Sequence, residues 1–458
     1  MRRASRVIWR ANVAGHEQKH GSPDERLVLG QAARPLYLAG IVAAVAGLLP
    51  GFVFGSRSFY FAYLSALAFF LSLSLGGLFF VLVHHLTRAG WGVVVRRQAE
   101  DIASLVPVLG ILCVPVLISV AVQRGQLYRW ALPVSSASPQ TLAAAAHGEP
   151  DELAEKLDEG APIPEKPALD SVILQKRLYG IYWLNPWFFI VRVIAYFAIW
   201  SWIAVSYRNQ SILQDKTGDV ELTRKMQARS GFLMVVLGLT LTGAAGDLIM
   251  SLDPHWYSTM WGVYYFAGSA IGIFSLLIIM VYLLQRAGYL RNSITVEHYH
   301  DLGKYLFGFT FFWGYIAFGQ YMLLWYANIP EEIAWFSRHG ATTVAQNITG
   351  WSYVMVAILF GQLLIPYALL LSRFFKRRPG ILVWLAVWQL AFHLLDVYWM
   401  VMPELPGPFT ATTILLSVLA FVGVGGVMLA VLVSRMAGEN LRPLADPRLA
   451  ESLAFENF

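Results

Sequence analysis

The stretch Phe59–His84, FYFAYLSALAFFLSLSLGGLFFVLVH, contains no Asp, Glu, Lys or Arg. A helix crosses a hydrocarbon layer of about 30 Å with about 20 apolar residues, so this run is long enough to span a membrane. Nine further runs read the same way, at Pro35–Phe54, Ile102–Val122, Trp187–Tyr207, Gly231–Met250, Tyr257–Leu284, Leu302–Tyr326, Ile348–Leu371, Ile381–Met402 and Phe409–Val433. The pattern predicts an all-α polytopic membrane protein with about ten transmembrane helices.

Composition agrees. Of 458 residues, 57% are hydrophobic and 14% charged, where a soluble globular protein has about 25% charged. That excludes a soluble enzyme. The 34 Lys and Arg against 28 Asp and Glu leave +6, with no dense basic domain, which excludes a nucleic-acid-binding chain. One cysteine, Cys113, excludes a disulfide within the chain, an iron–sulfur cluster held by this chain's cysteines alone, and a CxxCH haem attachment.

The runs divide the sequence into a tail at 1–34, three spans at 35–122, a long loop at 123–186, seven spans at 187–433 and a second tail at 434–458. The first 33 residues are polar, so no secretory leader is expected. Basic residues are retained on cytoplasmic segments. Of the 34, 25 fall on the segments that share a side with the N-terminus, and six of the eight on the opposite side sit in the one long loop. The expectation is a multi-pass protein of the cell inner (plasma) membrane with both termini cytoplasmic.

The loop's centre, Gly148–Pro167 (GEPDELAEKLDEGAPIPEKP), reads either as a surface-hugging strap or as an ordered contact for another subunit. On the inner side Ala89–Ala103 reads as an interfacial amphipathic segment, with Trp91 and Val93–Val95 against Arg96, Arg97, Glu100 and Asp101.

Ionisable residues within spans cost about 2.5–3.5 kcal/mol each on insertion scales, which makes them functional candidates. Arg192, Asp247, His393 and Asp396 fall in the outer third, beside loops carrying Asp253, His255, Glu331, Glu332 and Glu404. His84, His85, His298, His300, Asp301 and Lys304 lie at the inner boundary. Between the two sets runs a neutral trail of Thr240, Thr242, Gln320, Gln362, Gln389, Tyr265 and Tyr321. His393 and Asp396, three apart on one helix face, suit either a proton relay or a brace between helices. Arg192 is expected to pair with Asp247 or Asp396.

The segment Asp247–Tyr257 concentrates Asp247, Asp253, His255, Trp256 and Tyr257 at one membrane surface. Asp253, His255, Trp256 and Tyr257 suit hydrogen bonding to and stacking on a quinone headgroup; the alternative is a turn with Asp253 as N-cap of the following helix. A bis-histidine haem needs two histidines at matching depth; only His84 with His300 keeps that geometry open, and no haem or iron–sulfur cluster is expected on this chain.

Two long blocks, GDLIMSLDPHWYSTMWGVYYFAGS (Gly246–Ser269) and KYLFGFTFFWGYIAFGQYMLLWYANIPEEIAWF (Lys304–Phe336), resemble the smaller NrfD-like integral membrane subunit of alternative complex III, the bacterial quinol:cytochrome c oxidoreductase. The resemblance implies an NrfD/PsrC-like pair of four-helix bundles plus two peripheral helices. As partners it implies a larger NrfD-like membrane subunit, an iron–sulfur subunit and c-type cytochrome subunits. It carries over to Asp247, Asp253 and His255 in the first block and to Lys304, Tyr321, Glu331 and Glu332 in the second. Leu248 departs from it, because relatives commonly place Trp there.

The resulting expectation is a subunit that contributes to a quinone environment and to proton translocation, with Asp247, His393, Asp396, Glu331, Glu332, Tyr321 and Lys304 as relay candidates. A purely structural scaffold is the competing reading. A secondary transporter ranks last, because the spans lack paired Gly/Pro interruptions.

Overall fold

Apolar runs of spanning length fold as helices because lipid offers the backbone no other hydrogen-bond partner. A computed structural model describes residues 26–27, 34–54, 56–159, 161–164, 168–179, 183–341 and 348–457, the side chains of 50–54, 179 and 331 excepted. The tail at 1–34 therefore lies almost wholly outside the described residues. The described part is all-α apart from two isolated bridges, Arg26 to Asn440 and Leu27 to Ala437.

The principal helices are α1 (Arg34–Phe54), α2 (Arg57–Leu86), α3 (Val93–Ala103), α4 (Val106–Ala121), α5 (Pro186–Thr217), α6 (Val220–Leu248), α7 (Trp261–Arg286), α8 (Val296–Ala327), α9 (Pro330–Arg338), α10 (Gly350–Ile358), α11 (Ile365–Leu371), α12 (Pro379–Val401), α13 (Ala411–Met436) and α14 (Leu449–Leu453). Eight helical stretches are long and apolar enough to cross a membrane. With the 21-residue α1 and the 32-residue α8 they account for the ten predicted spans. Side chains set several starts: Ser56 accepts from the Phe59 amide, Asn185 from Trp187 and Phe188, and Asp219 from Glu221.

Helix α2 is the hub, with 83% of its apolar window buried against 28% for the stretch from α10 to α11. At the edge, α1 lies directly on α13. A Cβ on Gly47 would stand 2.5 Å from Gly423 Cα, so glycine at these positions is what lets the two backbones touch.

One end of the bundle, here the loop end, gathers the 123–185 loop with the turns after α6, α8 and α12. The opposite, tail end holds residues 437–457. Arg26 Nε donates to Asn440 Oδ1 at 2.9 Å, so the described residues Arg26 and Leu27 lie at that end too.

One sequence expectation is corrected. The helical stretch that carries the third span reaches back to Val93 and runs to Ala121. The segment expected on the membrane surface is instead interior, with every residue of α3 buried. Its charges fold inward because each finds a partner. Arg96 pairs with Glu100 (3.1 Å) and Asp446 (2.6 Å), Arg97 with Asp215 (2.7 Å), and Arg208 with Asp101 (2.7 Å). The C-terminal residues cover them: Gln98 Nε2 donates to the Leu441 carbonyl at 2.5 Å, and Ser452 Oγ to the Trp91 carbonyl at 2.6 Å.

The spans are also not uniform. Between α10 and α11, Leu359–Leu364 forms a π-turn. Such a turn displaces carbonyls from the α-ladder. Here Trp388 Nε1 donates to the Gly361 carbonyl at 2.7 Å and Gln389 Nε2 to the Gln362 carbonyl at 3.2 Å. A Cβ on Gly361 would stand 2.0 Å from the Phe392 ring, so this glycine admits α12 against the widened turn.

Candidate functional site

Two groups of buried polar residues form at the loop end. The first surrounds His255. After α6 ends at Leu248, a 3-10 turn at Met250–Leu252 directs the chain into a tight loop. There Asp253 Oδ1 accepts from the His255 amide at 3.1 Å. Asp253 therefore braces its own turn and does not cap α7, whose preceding residue Met260 makes no side-chain cap.

The His255 ring lies under the long loop. Nδ1 donates to Asp158 at 2.7 Å and Nε2 to Asp170 at 3.0 Å. Burial opposes protonation of this ring, yet the two carboxylates outweigh it and raise its pKa to about 9. Asp170 also caps the short helix Ser171–Leu174, accepting from the Ile173 amide at 2.9 Å. Burial would raise Asp253, but Arg338 and protonated His255 hold it below the usual carboxylate range. Arg338 pairs with Asp253, and its Nε is 3.8 Å from Glu404. Lys176 Nζ donates to the Pro254 carbonyl at 2.6 Å. The acidic loop is thus a strap, fastened to the bundle through Asp158 and Asp170.

Asp247 sits deeper. Arg192 grips it with two bonds, 2.9 and 2.8 Å, and Tyr196 donates to it at 3.1 Å. The same guanidinium packs over Trp183, 4.0 Å from the ring centroid. Of the two partners expected for Arg192, the structure selects Asp247.

The second group lies between α7, α8, α9 and the π-turn. It encloses a cavity of about 260 Å³ walled by Trp261, Tyr264, Trp313, Trp335, Phe336 and Trp399. Trp261 and Tyr264 stack nearly parallel, 5.7 Å apart. Phe318, Val356 and Leu359 also line it and are 62%, 48% and 44% exposed, which turns its mouth towards the apolar surface of the bundle. Two buried polar atoms lack partners among the described residues, Trp261 Nε1 and Gln320 Oε1.

Behind the cavity wall stands Asp396. It accepts from Tyr264 Oη at 2.5 Å, Trp313 Nε1 at 3.2 Å and Gln362 Nε2 at 3.4 Å. From Gln362 a polar chain continues inward, since Gln389 bonds both its carbonyl and Thr310 Oγ1, the latter at 2.7 Å. Neither family models nor curated proteins yield a match to this chain.

The sequence candidates therefore part company. Asp253, His255 and Trp256 belong to the first group; Trp256 stacks on Trp335 at 4.5 Å and so abuts the cavity from behind. Tyr257 is 67% exposed. Tyr321 lines the cavity, and Glu332 offers its carbonyl to Trp256 Nε1 at 3.0 Å. Glu331 lies outside the described side chains. Lys304 is at the tail end, paired with Asp301, and so is separated from the rest.

His393 and Asp396 do share a face. Both flank Gly268, whose missing Cβ would stand 3.1 Å from His393 Nδ1 and 3.8 Å from Asp396 Oδ2. His393 Nε2 bonds Ser72 Oγ at 2.8 Å, while Nδ1 has no partner among the described residues. The sequence reading missed Trp261, Tyr264, Trp313 and Trp335. The available signal was spacing: Trp261 with Tyr264, and Trp313 with Gln320, recur at three and seven residues on single helix faces. No described group of His, Cys, Asp and Glu could hold a metal ion.

Proposed function

We propose that this chain is an integral membrane subunit of a respiratory quinol oxidoreductase of the alternative complex III kind, and that the aromatic cavity beside Asp396 binds the quinone headgroup. The carrying observation is the cavity's chemistry: flat aromatic walls, a lipid-facing mouth, one unpartnered donor at Trp261 Nε1 and one unpartnered acceptor at Gln320 Oε1. A quinone offers carbonyl acceptors and a quinol offers hydroxyl donors, on a ring that stacks between indoles.

Within this reading Trp261 orients an oxidised carbonyl, Gln320 accepts from a reduced hydroxyl, and Tyr264 links the ring to the Asp396 carboxylate. The Asp396, Gln362, Gln389 and Thr310 chain supplies positions between which water could carry protons inward. Electrons from a quinol would pass to redox centres on partner subunits, namely iron–sulfur and c-type cytochrome chains beside a larger NrfD-like subunit. The basic-residue asymmetry supports a cytoplasmic side for both tails.

The test is binding of a short-chain quinone to the purified chain, followed by quenching of tryptophan fluorescence. Trp261→Phe should weaken affinity about tenfold, since a lost buried hydrogen bond costs about 1–3 kcal/mol. Tyr257→Phe, on the exposed rim, should not. Unchanged binding in a Trp261→Phe/Gln320→Leu double variant would remove the cavity from the mechanism.

A scaffold role is favoured by a separate observation for the first group. Both His255 nitrogens and both Asp253 oxygens are already engaged, so that cluster fastens the strap to the bundle.

A further inference from the structure

At the tail end, where α8 begins, the short helix Arg373–Lys376 packs against it. Lys376 is 7% exposed, and among the described residues its ammonium has no carboxylate partner. Its stem lies over Gly303, whose Cβ would stand 3.0 Å from Lys376 Cγ, and its Nζ is 5.2 Å from the Phe307 ring centroid. His300, 6% exposed, has no partner for Nδ1 among the described residues. The nearby acids are engaged elsewhere: Asp301 with Lys304, Glu297 with Arg377. Burial, then the charges of Lys304 and Arg373, push the Lys376 ammonium below its usual pKa, so the neighbourhood is short of negative charge.

We infer that Lys376, Arg373 and His300 form a binding site for the phosphate headgroup of an anionic phospholipid. The phosphodiester would accept from the Lys376 ammonium, the Arg373 guanidinium and the His300 ring. What selects a lipid over an acidic peptide is the surface leading away from these groups. Phe307 stacks on Tyr367 at 5.1 Å and Phe311 meets the same ring at 5.9 Å. Beyond them Phe311, Tyr315 and Leu371 are 56%, 66% and 61% exposed. This apolar track starts at the cations and follows α8 and α11, as an acyl chain requires; basic pockets between spanning helices commonly hold such headgroups. The inference stands independently of the quinone reading.

The experiment is native mass spectrometry of the full chain in mild detergent with equimolar phosphatidylglycerol and phosphatidylcholine. Preferential retention of phosphatidylglycerol is expected, falling about fivefold for Lys376→Gln and again for Arg373→Gln. Arg373 is exposed, so its variant keeps the test valid should Lys376→Gln fail to fold. Arg224→Gln removes the same charge from the exposed start of α6 and should leave retention unchanged. Equal retention of the two lipids, equal loss in Arg224→Gln, displacement by millimolar inorganic phosphate, or an acidic polypeptide found in the lipid's place would each overturn the inference.

Discussion

The two polar groups at the loop end meet at Trp335, which stacks on Trp256 from one side and lines the cavity on the other. Around His255, carboxylates and cations alternate, with Asp158, Asp170, Asp253 and Glu404 facing His255, Arg129 and Arg338. Around the cavity Asp396 accepts only from neutral donors, and two lining residues, Trp261 and Gln320, each keep a buried polar atom without a partner among the described residues. Charges that face opposite charges fix a structure, whereas an aromatic cavity bordered by neutral donors leaves room for a ligand. The difference is one of charge pairing against open space.

The strongest way to break the comparison is Arg338→Ala. Arg338 is buried between Asp253 and Glu404. Removing one partner of a buried pair leaves uncompensated charge and costs about 3–5 kcal/mol. A large drop in the thermal unfolding midpoint is expected, together with loss of the strap's resistance to protease. A midpoint within a degree or two of the parent would show that the loop-end ion pairs are not what holds the strap.

A sharper probe is pH. The folded pKa of His255, about 9, lies above the ordinary 6.5. Its contribution is therefore fully present below pH 6.5 and is lost as pH rises through 9. The gap corresponds to about 3 kcal/mol. Unfolding midpoints measured from pH 6 to 10 should fall across that window, and His255→Gln should flatten the curve. Parallel curves for parent and variant would contradict the doubly bonded imidazolium.

Much of this was legible in the sequence, for identifiable reasons. The eight helices long and apolar enough to cross a membrane follow from hydropathy, because lipid forces each run to satisfy its backbone alone. That Arg192 pairs with a carboxylate followed from the cost of a lone guanidinium at that depth, while the choice of Asp247 over Asp396 needed the structure. The burial of α3 was not legible, since Arg96, Arg97, Glu100 and Asp101 look like a wet surface until Asp446, Asp215 and Arg208 arrive from distant positions. The cavity escaped for a related reason. Trp and Tyr near span ends read as interfacial belts, and only the crossing of α7, α8 and α9 turns four of them inward. His255 was recognised as a chemical group, but Asp158 and Asp170, which decide its role, lie 97 and 85 residues away.

The smallest effect is expected on the strap itself, and it isolates burial as the cause of the difference. The helix Glu152–Asp158 carries two charged contacts of similar length. Lys156 pairs with Glu152 at 2.6 Å, and Asp158 pairs with His255 at 2.7 Å. Lys156 and Glu152 are 61% and 84% exposed, so water and salt screen them and side-chain entropy opposes the pairing. The His255 ring is 4% exposed, so its bond to Asp158 is made with little competition from water. Lys156→Ala should leave the unfolding midpoint unchanged within error, while Asp158→Asn on the same short helix should lower it measurably. Similar shifts from both would mean that helix Glu152–Asp158 matters through its own stability, and that its grip on His255 adds nothing.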